Sequence, residues 1–326
     1  MKKITAFFLI LVMMSLSIIS YSASPQISVY VLGGKLDFKD AAPFIENGRT
    51  LVPFRAIAEA LGANVEWDSA TKTVTITKQY AANASESVTD TTYNGNSASD
   101  ETKIVKIVIG SNKALINEIE TTLDVPAKIS NSRTYVPLRF VSEALEMGVN
   151  WDSATKKIVI DKGNITIAFD KNKAEVGDIV KANVEVNNIP GFTGFQVNIK
   201  YDPDVLQPID PTTNKPYTTT TLPEDGTILL NEKFSPVKMP AGNDLDKGII
   251  NYGMTYMNMA SYKNSMKAES TGTIGVISFK VLKKQQTNLK FEDAKTMTKS
   301  KDGTMLYNWD GQALSNYNVV EPQPLN

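Results

Sequence analysis

Two rhythms of apolar and polar positions divide the chain. Up to Lys162, short alternating runs are interrupted twice by apolar residues at helical spacing. Beyond Gly163 alternation alone remains. In the first interruption Phe54, Ile57, Ala58 and Leu61 line one face of a helix of two to three turns. Pro53 stands at its first turn and Gly62 at its C-terminal end. Around it, Arg49 to Val52, Val65 to Trp67 and Thr73 to Thr77 read as strands. Asp68 to Lys72 forms an Asp-initiated turn between the last two.

The second interruption repeats the first. Gly48 to Lys78 and Ser132 to Lys162 align without a gap at an offset of 84 residues and agree at 17 of 31 positions. Duplication follows. Pro137, the helix from Leu138 to Leu145, Trp151 and the turn from Asp152 to Lys156 are the counterparts. Upstream of each copy, Val29 to Asp37 and Lys106 to Ile116 read as hairpins turning at glycine. The copies differ where Glu146-Met147-Gly148 stands in place of Gly62-Ala63-Asn64, and the glycine's move by two places predicts a slightly longer second helix. Repeats near 26–78 and 104–162 make an α+β module over 25–162. They are joined by a polar, Ser- and Thr-rich linker, 79–102, that has too little apolar content to bury a core. Arg55 and Glu59, like Arg139 and Glu143, are four apart and predict ion pairs along one helix face. Trp67 and Trp151 are expected to pack on the helices.

From 163 to 326 about nine strands are expected: Ile165–Phe169, Ile179–Val186, Phe195–Tyr201, Thr227–Asn231, Gly248–Tyr256, Thr273–Leu282, Leu289–Glu292, Met305–Trp309 and Tyr317–Glu321. With no convincing helix among them, they predict an all-β two-sheet sandwich. Phe195, Val197, Ile199 and Tyr201 alternate with Gly194, Gln196, Asn198 and Lys200, and the first set is assigned to the core. In the Gly248 strand, Ile250, Tyr252 and Met254 face inward, and Asn251, Gly253 and Thr255 outward. The outer face is small-residued and polar, a surface suited to another protein.

The N-terminus adds a compartment. Lys2 and Lys3, an apolar run from Ala6 to Met14 and small residues to Ser24 predict a signal peptide over 1–24, cut between Ser22 and Ser24. The apolar run is too short to span a bilayer, so no membrane span is expected in the mature protein. Composition then removes chemistry. With no cysteine and no histidine there is no thiolate nucleophile, no Ser-His-Asp triad and no copper or zinc site of the usual kind. Lys and Arg number 34 against 35 Asp and Glu, interspersed, which disfavours nucleic-acid binding. No cofactor and no enzymatic activity are expected. Asp202 and Asp204 read as strand-end geometry rather than a hydrolytic pair, and Asp302 lacks the companions of a calcium loop.

The paired Arg-Thr-x-Val-Pro-x-Arg and Trp-Asp-Ser-Ala-Thr-Lys segments resemble the copper amine oxidase N-terminal-like, or stalk, domain. The resemblance implies a role in envelope attachment, with Arg49, Arg55, Arg133 and Arg139 as contacts to a cell-wall polymer. With neither surface-layer-homology repeats nor a sorting signal in Glu321 to Asn326, something else is expected to hold the chain at the surface, unless it is released. The second half resembles a cohesin: Asn164 to Ile167, Ala174 to Asp178, Ile189-Pro190-Gly191 and Tyr201-Asp202-Pro203-Asp204-Val205-Leu206 occur in the order of that family's landmarks. That implies a jelly-roll sandwich binding dockerin-bearing polysaccharide-degrading enzymes through Gly194, Gln196, Asn198, Asn251, Gly253, Thr255 and Tyr256. Against the type I pattern, Gly194 and Gln196 replace Asn and Asp, so an atypical partner preference is expected. The alternative is a jelly-roll glycan-binding or adhesin module, presenting Tyr256, Tyr262, Tyr307 and Trp309. Either way the chain is expected to be secreted and held at the bacterial cell surface.

Overall fold

The computed structural model describes residues 26–39, 41–80, 101–239, 242–265, 269–292, 303–309, 311, 313–314, 316–320 and 322–326. The signal segment, positions 81–100 of the linker and Asp302 lie outside the described residues.

In the first half the elements are β1 (Ser28–Val31), β2 (Gly34–Lys35), β3 (Phe44–Glu46), β4 (Arg49–Pro53), α1 (Phe54–Ala60), β5 (Asn64–Asp68) and β6 (Thr73–Tyr80). After the linker come β7 (Glu101–Val108), β8 (Lys113–Ile116), β9 (Ile119–Thr122), β10 (Lys128–Ser130), β11 (Arg133–Pro137), α2 (Leu138–Ala144), β12 (Gly148–Asp152) and β13 (Lys157–Asp161). The two repeats are interlocked rather than stacked. The closing hairpin of the first copy joins the opening hairpin of the second in the sheet β5-β6-β7-β8-β9. The closing hairpin of the second returns to the first in β12-β13-β1-β2. A third sheet, β10-β11-β4-β3, pairs the two Val-Pro strands directly, Val136 opposite Val52. Ile57, Ala58, Val141 and Leu145 from the helices, with Val74, Ile76, Val105, Ile107, Ile158 and Ile160 from the sheets, close one apolar core.

The Asp turns are structural. Asp68 accepts from the amide of Ala70 at 2.8 Å and the hydroxyl of Thr71 at 2.7 Å; Asp152 does the same with Ala154 at 2.9 Å and Thr155 at 2.6 Å. These bonds, the threonine hydroxyl foremost, hold both carboxyls below the usual carboxylate range.

The helices are of equal length, seven residues each, against the longer second helix expected. Gly62 ends α1 in the left-handed conformation at φ 73°, and Glu146 occupies the same place at φ 55°. A glutamate there is disfavoured by its Cβ. Its carboxylate, however, is anchored by Lys103 Nζ at 2.5 Å, with both side chains about 95% buried. Gly148 is glycine for a different reason. A Cβ on it would lie 2.1 Å from the carbonyl oxygen of Asn188, in the second module. At the equivalent place in the first copy Asn64 is exposed. The departure between the copies therefore marks where the second module is seated, and the Asn316 side chain reinforces it by donating to the Glu146 carbonyl.

The second half comprises β14 (Gly163–Phe169), β15 (Ile179–Asn187), β16 (Phe192–Lys200), β17 (Leu206–Ile209), β18 (Pro236–Met239), β19 (Ile249–Tyr256), α3 (Met259–Asn264), β20 (Gly272–Val281), β21 (Lys290–Phe291), β22 (Thr304–Asn308) and β23 (Tyr317–Val320). It is a sandwich of β17-β20-β15-β14-β23 against β18-β19-β16, with β21 and β22 sharing the other edge of β16. Its core, from Ile165 to Leu325, is separate from the first. Three expectations are corrected. Thr227–Asn231 is a loop, because the chain passes the edge of β20 with Leu229 buried in a left-handed turn and its amide donating to Glu269 at 2.6 Å. The strands β17 and β18 were not foreseen. A helix is present, α3, whose first turn is capped by Asn258.

Candidate functional site

Register assigns the outer face of the β22-β16-β19-β18 sheet. Residues directly opposite on antiparallel strands share a face. Gly194 stands between Tyr307 and Thr255, Gln196 between Met305 and Gly253, and Asn198 beside Asn251. The edge strand extends two of these rows with Val237 opposite Thr255 and Met239 opposite Gly253. The inner face holds Phe195, Val197, Ile199, Tyr252 and Met254, all buried.

The outer face is flat at its centre. Gly253 leaves room for the Met239 sulfur, 3.0 Å from where a Cβ would stand, and the Thr255 side chain covers Gly194. Asn251 donates to the Asn198 side chain, and its amide donates to Asn243 at 3.0 Å. Apolar Met305, Met239, Val237 and Tyr307 therefore frame Gln196, with two glycines and a cross-strand amide pair. No charged side chain stands in these rows.

Of the residues expected at this face, Gln196, Asn251 and Thr255 lie on it half-buried; Gly194 and Gly253 floor it. Asn198 points outward but is only 5% exposed, because its amide is held by Gly303 and its side chain by Asn251. Tyr256 is corrected: it is wholly buried, packed on Phe234 and Tyr262 with its hydroxyl on Glu269. Two residues beyond Met254 it continues the inward set, so the period of its own strand places it inside. Val237 and Met239 were missed, since four residues beginning with proline carry little strand signal; Met305 lies on an expected strand but was not assigned to this face. Tyr262 is also fully buried, and Trp309 is half-buried against the core.

The arginines divide between two equivalent grooves of the first module. Arg55 and Glu59 on α1, Trp67 on β5 and Arg133 on β11 line one; Arg139 and Glu143 on α2, Trp151 on β12 and Arg49 on β4 line the other. Every member has its counterpart 84 residues away. The ion pairs along the helices are present but loose, Arg55 to Glu59 at 3.8 Å and Arg139 to Glu143 at 3.9 Å. Arg49 is instead paired closely with Asp124. The second groove is roofed by Pro190, Gly191, Lys263 and Trp309 of the sandwich, making a chamber of about 440 Å³. The first is open. Trp67 is accordingly 39% exposed, whereas Trp151 packs against the core.

The roof acts on a carboxyl. Glu143 keeps 19% of its side-chain surface where Glu59 keeps 58%. Burial raises the Glu143 pKa from 4.5 to about 7, against the pull of Arg139 and with a push from Asp124. The folded state thus holds this proton more tightly than the unfolded one. The resulting stability is complete below pH 4.5 and is lost as pH rises to about 7. Glu143→Gln is expected to flatten that decline by about 2 kcal/mol, read from urea denaturation of the whole chain at both ends of the range. An unchanged slope would assign the decline to other groups.

Among the described residues no cluster of three or more Asp or Glu is arranged to hold a metal, and no helix is long and apolar enough to cross a membrane.

Residues 30–160 match the family model of the copper amine oxidase N-terminal domain, and residues 165–308 that of the cohesin domain. A curated relative, cell surface glycoprotein 1 of Acetivibrio thermocellus, is 44% identical over 159 residues, which are 49% of this chain and 7% of that protein. A protease inhibitor of Brevibacillus choshinensis is 24% identical over 203 residues, 61% of this chain and 52% of that one. The chain thus spans about half or less of the curated relatives it matches. Among solved structures, a type II cohesin–X–dockerin complex from Acetivibrio cellulolyticus is 43% identical, covering 51% of this chain and 99% of that one, with a TM-score of 0.49. Type II cohesin A11 from Bacteroides cellulosolvens is 38% identical, covering 50% and 98%, with a TM-score of 0.48. The expectation was framed on the type I pattern; these solved relatives are of type II.

Proposed function

We propose that this chain, whose residues 30–160 match the copper amine oxidase N-terminal domain and whose second half belongs to the cohesin family, is a non-catalytic surface scaffold. Its sandwich binds the dockerins of polysaccharide-degrading enzymes or of their scaffoldins, and its first module attaches to the cell envelope. The observation that carries the dockerin reading is the outer face of β22-β16-β19-β18, whose central rows at Gly194, Gln196 and Asn198 hold no charged side chain. Gly194 and Gly253 keep it flat, and Met239, Val237, Met305 and Tyr307 supply apolar area around Gln196. Such a face gives a partner helix a surface to bury with few polar groups to desolvate. The relative at 43% identity was crystallised with an X–dockerin partner, which supports the same direction.

That the solved relatives at 43% and 38% identity are type II cohesins supports a type II partner. Surface location is supported by the cell surface glycoprotein relative. The glycan-binding alternative loses two of its platforms, since Tyr256 and Tyr262 are buried.

Titration calorimetry of the full chain with calcium-loaded type I and type II dockerins, the X module included, tests the reading. Saturable binding to the type II partner is expected. Silence across the panel, with retention on insoluble cellulose or chitin, would transfer the function to the glycan-binding alternative.

A further inference from the structure

The duplicated module carries the same set of side chains twice: two guanidinium groups, one from each copy, a helix carboxylate and a tryptophan. One set is spent on the chain's own architecture. Trp309, Lys263 and the Pro190-Gly191 turn lie over it, and what is left is a chamber of about 440 Å³, the size of a small-molecule site. The other set has no such roof. Trp67 remains 39% exposed where Trp151 packs against the core, and Ile129 lines the same groove, 52% exposed as its counterpart Ile45 is at 51%.

We propose that the open groove formed by Arg55, Arg133, Trp67 and Ile129, and not its roofed counterpart, is the seat of an anionic glycan of the cell envelope. This rests on the envelope-attachment reading above and narrows it to one groove and one ligand class. An indole face exposed beside a guanidinium fits a sugar ring that carries a carboxylate or a phosphate. The ring covers the apolar surface while the planar donors of arginine meet the anion in pairs. Lys39 adds a third cation to the lining, against Asp37 and Glu59. Glu59 already faces Arg55 at 3.8 Å, with both side chains more than half exposed. An exposed pair of this kind separates at little cost, so the guanidinium is available to a ligand anion. Arg55 and Arg139 are equally exposed, at 56% and 57%; what separates the two grooves is the indole, exposed at Trp67 and packed on the core at Trp151.

The test is co-sedimentation of the full chain with protein-stripped cell walls, comparing wild type, Arg55→Gln/Arg133→Gln, Trp67→Ala and Arg49→Gln/Arg139→Gln. The first double variant and Trp67→Ala are each expected to weaken wall binding at least about tenfold, as loss of charge-assisted contacts or of a stacking face implies. Their melting temperature and dockerin affinity should stay unchanged. Arg49→Gln/Arg139→Gln should bind walls as wild type does. Two treatments separate the sources of charge: hydrofluoric acid strips phosphate-linked polymers, and carbodiimide amidation neutralises carboxylates. One of them should abolish sedimentation. If neither does, the ligand is not anionic and the proposal is wrong. If wild type sediments and the open-groove variants sediment equally well, the groove assignment fails while envelope attachment stands. If wild type itself stays in the supernatant, the attachment reading falls, and this one with it.

Discussion

Met239→Asp combined with Met305→Asp is expected to lower dockerin affinity at least about 100-fold, about 2.8 kcal/mol, while the module stays folded. The two methionines flank the central Gln196–Gly253 row from opposite edges of the outer face. Both are half-buried on the free protein, so aspartate there keeps access to water and the sandwich core is untouched. Once a partner covers the face, two carboxylates lose solvent with no cation in the neighbouring rows to receive them. Calorimetry gives the affinity, and a melting temperature within a few degrees of wild type shows that the fold survives. Unchanged affinity in a folded variant would place dockerin contact elsewhere on the sandwich.

Lys103→Met is expected to destabilise the first module by about 3–5 kcal/mol, because it strands the Glu146 carboxylate in the interior. The same change removes the Lys103 ammonium that anchors Glu146 in its left-handed backbone conformation, φ 55°. Adding Glu146→Gly should recover most of the loss. Glycine adopts that conformation freely, as Gly62 does at φ 73° in the first copy, and no charge is left behind. Urea denaturation of the single and double variants, followed by far-ultraviolet circular dichroism, reads both steps. A double variant as unstable as the single one would show that Lys103 acts through its own packing rather than through Glu146.

The helices, the Asp turns and the alternating strands were legible because each is specified within a few residues. Pro53 and Gly62 bound α1, and one aspartate closes each Trp-Asp-Ser-Ala-Thr-Lys turn through its own near neighbours. Alternation also sorted β16 correctly. The error at Tyr256 came from reading an aromatic as a contact against the period of its own strand. Val237 and Met239 escaped notice because β18 is a short edge strand that has no signature until Thr255 and Gly253 pair with it.

By itself the sequence determined that the first half is a duplication, that the second is a sandwich with Gly194 and Gln196 outward, and that thiol and imidazole chemistry are absent. These follow from identity, period and composition, which require no knowledge of distant neighbours. Only the tertiary structure decided how the copies share sheets, since β6 meets β7 and β13 meets β1 through pairings that local pattern does not encode. It also decided what the altered helix end means. Gly148 answers the approach of Asn188 and Glu146 the reach of Lys103, contacts 40 and 43 residues apart along the chain. And it separated two look-alike grooves, one with Trp67 and Glu59 exposed and one with Trp151 and Glu143 covered, because the second module comes to rest on one copy of the repeat.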